Sequence, residues 1–213
     1  MDSPLRTTYH HGRLRDALLE AAVALAGEIG PEQVTVREVA RRAGVSSAAP
    51  FRHFASKTAL MTAVAEEAMR RMLAETAQRI AEAEGEDPLV RFSALAKGYL
   101  DFVLKYPTHF RILSDRRLLE WSEPLRAGSA ALQAEMAGQL REAHAQGLLK
   151  SGDIRGHLLD SRAASYGVVR TYVDGQMATW GVPEDEAEAE MAAVMRRFIR
   201  NMALDPDRHA LRL

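Results

Sequence analysis

The stretch from Thr35 to Lys57 constrains this chain more than any other part of it. It reads as helix, tight turn, helix, and then the start of a third helix. Thr35 can cap the first helix through its hydroxyl, and Glu38, three places on, completes a capping box. Val39, Ala40 and Ala43 give that helix an apolar face at spacings of three and four. Ala40 is small where a second helix has to cross close by. Gly44 can take positive φ without strain as the chain leaves the first helix. Val45 then tucks under the corner, Ser46 or Ser47 caps the second helix, and Phe51 and Phe54 anchor it. Alanine, glycine and valine at these offsets are the pattern of a helix-turn-helix, whose second helix enters the major groove of DNA. Pro50 limits that second helix. Inside a helix a proline costs about 3 kcal/mol or more, but in the first turn the N–H groups have no intrahelical partner anyway. The spacing therefore predicts a short helix, about Ser47 to Phe54, whose start is fixed near Pro50.

The remainder reads as helix after helix, giving an all-α fold of about nine. Residues 1–10 form an arm in which Arg6, His10 and His11 are candidates for phosphate or the minor groove. A helix from Gly12 to about Ile29 carries the stripe Leu14, Leu18, Ala21, Ala22, Leu25 and Ile29, and Gly30-Pro31 stops it. Ser56 caps a long helix running to about Glu84 through Leu60, Met61, Val64, Ala68, Met72 and Ile80. Pro88 to Lys105 is the next, broken at Tyr106-Pro107, and Thr108–Asp115 is one short turn more. After a connector, Pro124 starts a helix that ends near Gly147, with Leu125, Leu132, Met136 and Leu140 inward. Asp153 caps a helix expected to run to Trp180. The last begins at Pro183, acidic at its start and basic at Arg196, Arg197 and Arg200, as the helix dipole favours. Its stripe is Met191, Val194, Met195, Phe198 and Met202.

Charge and composition narrow the function. The chain has 213 residues, 47% apolar and 27% charged, as a globular protein does. The net charge of −1 hides a split: residues 1–60 hold eight Lys+Arg against six acids, while the rest hold 20 against 23. The basic excess lies in the segment that carries the motif, so nucleic-acid affinity should fall as salt rises. There is no cysteine, which suits a reducing cytoplasm. No run approaches the ~18 apolar residues of a membrane span, and the start lacks a signal-peptide core. G-x-S-x-G, H-E-x-x-H, G-x-G-x-x-G and P-loop motifs are all absent, so no enzyme, cofactor or metal centre is expected.

The runs Thr35-Val-Arg-Glu-Val-Ala40, Ala43-Gly-Val-Ser46 and Phe51-Arg-His-Phe-Ala-Ser-Lys57-x-x-Leu60 resemble the TetR family of bacterial transcription regulators. The resemblance extends back through the helix from His11 and covers about the first 70 residues. It implies a DNA-binding domain at 1–56 and a helical effector-binding and dimerisation domain at 57–213. It also implies base contacts for Arg37, Ser47 and Ala49, and Ala48 shares that face. A guanidinium fork on Arg37 matches guanine O6 and N7, and alanine methyls suit thymine methyls. Phosphate contacts would fall to Thr35, Ser46, Arg52, His53 and Lys57. Family members often carry tyrosine where this chain has Phe51, so that hydroxyl is missing here. The text Tyr99 to Leu113 resembles the body of one subgroup named for a Trp-His-Gly pattern, but only Gly167 agrees with that pattern, Arg162 and Tyr166 standing in place of its other residues.

The resemblance further implies a homodimer built on the last two helices, with Ala163, Ala164, Gly167, Met191, Met195, Phe198 and Met202 at the interface. Two reading heads about one DNA turn apart would require a near-palindromic operator. The middle helices should enclose a pocket for a small-molecule effector. Candidate lining residues are Phe92, Tyr99, Phe102, Phe110, Trp121, His144, Tyr166, Arg170 and Met177. The expected function is a cytoplasmic repressor that a ligand releases from double-stranded DNA. The competing readings are a DNA-binding protein of the same fold whose body domain docks a protein partner and, behind it, a helical enzyme.

Overall fold

A computed structural model describes residues 11–205, with side chains from Leu14 onward. The arm residues Arg6 and His10 and the side chain of His11 lie outside what it describes. Among the described residues the regular structure is helical: eight α-helices, four short 3-10 turns, and one isolated bridge pairing Leu149 with Ala203. The α-helices are α1 (His11–Ile29), α2 (Val36–Arg42), α3 (Lys57–Glu82), α4 (Pro88–Lys105), α5 (Pro107–Ser114), α6 (Glu123–Ala145), α7 (Ile154–Val173) and α8 (Ala187–Met202). The all-α architecture read from the periodicity is the one observed.

The chain forms two compact units. The first holds residues up to Ala68 together with Thr108–Ser122; the second holds Met69–Pro107 and everything from Glu123. The boundary expected at residue 57 therefore falls inside the first unit. The reason is visible at α3, whose first turns are tied to the 116–122 segment. Glu120 N donates to Thr62 Oγ1 at 3.0 Å, and Ser122 Oγ donates to Glu66 at 2.7 Å.

In the first unit Leu18, Ala22 and Leu25 of α1 are buried with Val34, Val39 and Ala40 around α2. Leu60, Met61 and Val64 at the start of α3 are fully buried as well. Burying a side chain of this size contributes about 1.5–3 kcal/mol, which is what fixes the small α1–α2 pair. Ser56 caps α3 as expected, accepting from Ala59 N at 3.1 Å.

In the second unit α4 packs on α6 and α8, and α7 packs on α8. The core joins Leu89, Phe92 and Leu95 to Met136, Leu140, Ile199 and Met202. Asp87 caps α4 by accepting from Leu89 N and Val90 N, and Pro88 opens the helix where no N–H is needed. Asp153 caps α7 through Gly156 N at 2.9 Å. That helix does not reach Trp180. It ends at Val173, because Asp174-Gly175 turns the chain with Gly175 at φ 70°, and a separate 3-10 turn covers Met177–Trp180.

Candidate functional site

The helix-turn-helix corner is built from caps at both ends of α2. Thr35 Oγ1 accepts from Glu38 N at 3.2 Å and donates to the Glu38 carboxylate at 2.7 Å. The capping partner of Glu38 is thus the hydroxyl itself. At the other end Val45 N bonds to Ala40 O at 3.0 Å and Gly44 N to Arg41 O at 3.2 Å. This is a Schellman closure, and Gly44 supplies the positive φ it requires, at 69°.

Beyond the corner the structure corrects the sequence reading. The second helix expected over Ser47 to Phe54 is not an α-helix. Ser46–Ala49 form a turn, with Ala49 N on Ser46 O at 3.0 Å, and a 3-10 turn covers Pro50–Arg52. Neither serine caps it; the cap position is Ala49, with no side-chain bond. The cause is Pro50. Proline has no N–H to offer the Ser46 carbonyl, so a helix carried in from Ser46 would lose a bond at this point, and Ala49 N takes that carbonyl instead. The backbone instead closes tighter turns on either side, and Arg52 N reaches Ala49 O at 3.2 Å.

The candidate DNA-contacting side chains sit as follows. Arg37, Ser46, Ser47, Ala48 and Arg52 are exposed, and Ala49 is half-buried. Thr35 is exposed, but its hydroxyl is engaged by Glu38. Lys57 donates its ammonium to the Glu32 carbonyl, which leaves two of its three protons for other acceptors. His53 is half-buried with Nε2 sealed from solvent and without a partner among the described residues, so Nδ1 is the nitrogen left for a phosphate. Phe51, expected to anchor the second helix, instead stands 58% exposed beside Arg52. Phe54 does the anchoring, buried under the Arg15 guanidinium at 5.7 Å from its ring centre. Arg42 pairs with Glu28 at 2.7 Å and braces α2 against α1.

Of the nine residues expected to line an effector pocket, Tyr99 and Tyr166 lie within electrostatic reach of each other. Phe110 and Trp121 belong to the first unit, where Arg116 stacks 3.7 Å over the Trp121 ring. His144 is exposed at the end of α6, and Tyr166 is 45% exposed on α7. Arg170 pairs with Asp174 at 2.7 Å. Phe92, Phe102 and Met177 are core. Tyr99 is held in its neutral form, because burial pushes its hydroxyl pKa well above the usual phenol range. A groove of about 590 Å³ lies elsewhere in the second unit, between α3, α4 and α6. None of the nine lines it. Its walls come from alanines and leucines whose exposure on a helix face carries no distinguishing signal in sequence.

The candidate dimer residues divide in the same way. Met191, Met195 and Met202 are buried within the single chain and have no surface left for a partner. They are ordinary core of the single chain and not the interface residues expected. Ala163 and Gly167 are exposed, and Ala164 and Phe198 are half-buried. Leu159, 60% exposed one turn before Ala163, joins that face.

A basic, glycine-cornered α2 with an exposed serine-alanine turn defines a helix-turn-helix protein. Residues 18–64 match the family model described as "Bacterial regulatory proteins, tetR family". Over those residues the chain carries the DNA-binding segment of the TetR family. It is 28% identical over 165 residues to the nucleoid occlusion factor SlmA of Marinobacter nauticus, covering 76% of this chain and 81% of that one. It is 31% identical over 87 residues to the HTH-type transcriptional regulator BetI of Yersinia pestis, covering 41% of this chain and less than half, 44%, of BetI. The fold matches that of the TetR family transcriptional regulator PfmR from Thermus thermophilus, with a TM-score of 0.65 and 22% identity over 84% of this chain and 97% of PfmR. Among the described residues no helix is long and apolar enough to cross a membrane.

Proposed function

We propose that this TetR-family chain is a repressor that binds a near-palindromic DNA operator as a homodimer in the cytoplasm and is released by a small molecule. The observation that carries the reading is the corner itself. Exposed Ser46, Ser47 and Ala48 stand on a turn that the caps of α2 hold rigid, with exposed Arg37 on the preceding helix. Bases are read by Arg37, Ser47, Ala48 and Ala49. Phosphates are held by Thr35, Ser46, Arg52 and Lys57, with His53 contributing through Nδ1. The exposed α7 face at Leu159, Ala163 and Gly167 supports a two-fold contact that sets two corners about one DNA turn apart. A ligand preferring the conformation with the corners displaced lowers DNA affinity by its differential binding.

Selection of bound sequences from a random DNA pool tests this. Enrichment of a two-fold symmetric motif is expected, and a pool that stays random would end the operator reading. A second reading, a DNA-bound body domain that docks a protein, draws support from the similarity to the nucleoid occlusion factor. That similarity runs well past the DNA-binding segment. It predicts sequence-specific DNA binding that no metabolite reverses.

A further inference from the structure

The groove of the second unit is mostly hydrocarbon, with Leu73, Ala77 and Ile80 on α3 facing Ala131 and Leu132 on α6. At about 590 Å³ it has the size of a small-molecule site. Three charged side chains line it: Glu84, Arg91 and Glu135. Arg91 already donates to the Glu142 carboxylate. Among the described residues no ion pair engages Glu84 or Glu135. Thr76, also in the wall, commits its one proton to the Met72 and Leu73 carbonyls of its own helix. The groove therefore presents apolar walls and two unbalanced carboxylates.

Gln139, one turn beyond Glu135 on α6, is not in the groove wall but orients the Glu135 carboxylate there. It is only 4% exposed, and its Nε2 donates to Glu135 at 2.8 Å. A carboxylate only accepts, so the nitrogen end of the amide must face it, and that fixes Oε1 on the other side. Oε1 is buried and has no partner among the described residues. A buried acceptor without a donor is costly. That orphan lies outside the groove lining, so the acceptor capacity open to a ligand is that of the Glu135 carboxylate.

We propose that this groove binds a lipophilic amine. The protonated head donates to the Glu135 carboxylate, while Glu84 adds negative potential. The hydrocarbon body lies along Leu73, Ile80 and Leu132. A carboxylate or phosphate head of the same length meets like charge. The proposal names the ligand class for the effector reading and rests on that reading only for its consequence at DNA.

Calorimetric titration of the full chain with octylammonium, octanol and octanoate tests it, because the three share one tail and differ in the head. Octylammonium should bind about tenfold or more tighter than octanol, with octanoate weakest. Glu135→Gln should abolish the advantage of the amine over the alcohol. Ala77→Trp, at an exposed position in the groove wall, should block all three, with thermal melting to show that both variants fold. Octanoate binding as tightly as octylammonium would overturn the proposal. So would an amine preference that survives Glu135→Gln, or binding that survives Ala77→Trp. DNA affinity measured in parallel separates the two readings. An amine that binds without loosening DNA leaves the groove chemistry standing and removes its role as effector. A protein that holds selected DNA but binds no amine loses this proposal alone.

Discussion

Gly98 is where α4 lies directly against α3. A Cβ built on it would stand 2.5 Å from Thr76 Cα, 2.7 Å from the Glu75 carbonyl oxygen and 2.9 Å from its carbon. All three are backbone atoms, so no side chain can swing away. The same crossing is clasped by Arg79–Asp101 at 2.6 Å and Lys105–Glu75 at 2.7 Å. Carbon atoms prefer about 3.5 Å or more, so Gly98→Ala must push the helices apart by about 1 Å. Overpacking of this kind costs about 1–3 kcal/mol, and a backbone obstacle belongs at the upper end. Alanine returns about 1 kcal/mol of helix propensity. The net loss is about 1–2 kcal/mol, a fall in Tm of about 2–8 °C for a chain of this length. Gly138 on α6 is the control, since nothing lies within 4 Å of a Cβ there. Gly138→Ala should gain up to about 1 kcal/mol. Thermal unfolding followed by far-UV circular dichroism measures both. Gly98→Ala melting at or above the wild type would refute the close-approach reasoning.

Other outcomes follow from the site. Pro50→Ala restores the missing donor, so residues 47–54 should gain α-helical amide protection, read by hydrogen exchange; unchanged exchange would mean that Pro50 does not set the turn. Phe51→Tyr adds the hydroxyl this chain lacks, and DNA affinity should rise by about 0.5–1.5 kcal/mol for specific and random DNA alike, measured by fluorescence anisotropy. Gly167→Ala has open space in the single chain. It should leave the fold intact but weaken self-association, read by sedimentation, if close helix approach at this point forms the proposed dimer.

The helix periodicity makes the all-α architecture legible, and caps such as Thr35, Ser56, Asp87 and Asp153 are local enough to be read from sequence or explained by it. Three features are not legible. Pro50 is tolerable in a first turn, but the register of that turn depends on which residue caps it, and no serine does. The stripe of α8 correctly marks a buried face, yet a stripe does not say whether its own chain or a twin covers it; Met191, Met195 and Met202 go to their own core. Aromatic residues suit an effector site because they bury large areas, and for the same reason Phe92 and Phe102 fill the core instead. The groove is made by Ala77, Ala81 and Ala131, whose smallness leaves the space.

In the proposed function Arg37 reads bases while Lys57 only holds the backbone. Competition binding of Arg37→Ala and Lys57→Ala on a selected operator and on singly substituted versions of it separates the two roles. Arg37→Ala should lose about 1–3 kcal/mol and become indifferent to the base at one step per half-site. Lys57→Ala should weaken every sequence about equally and flatten the salt dependence. If both variants keep the wild-type base preference, or both lose it alike, the corner does not read DNA in the way proposed.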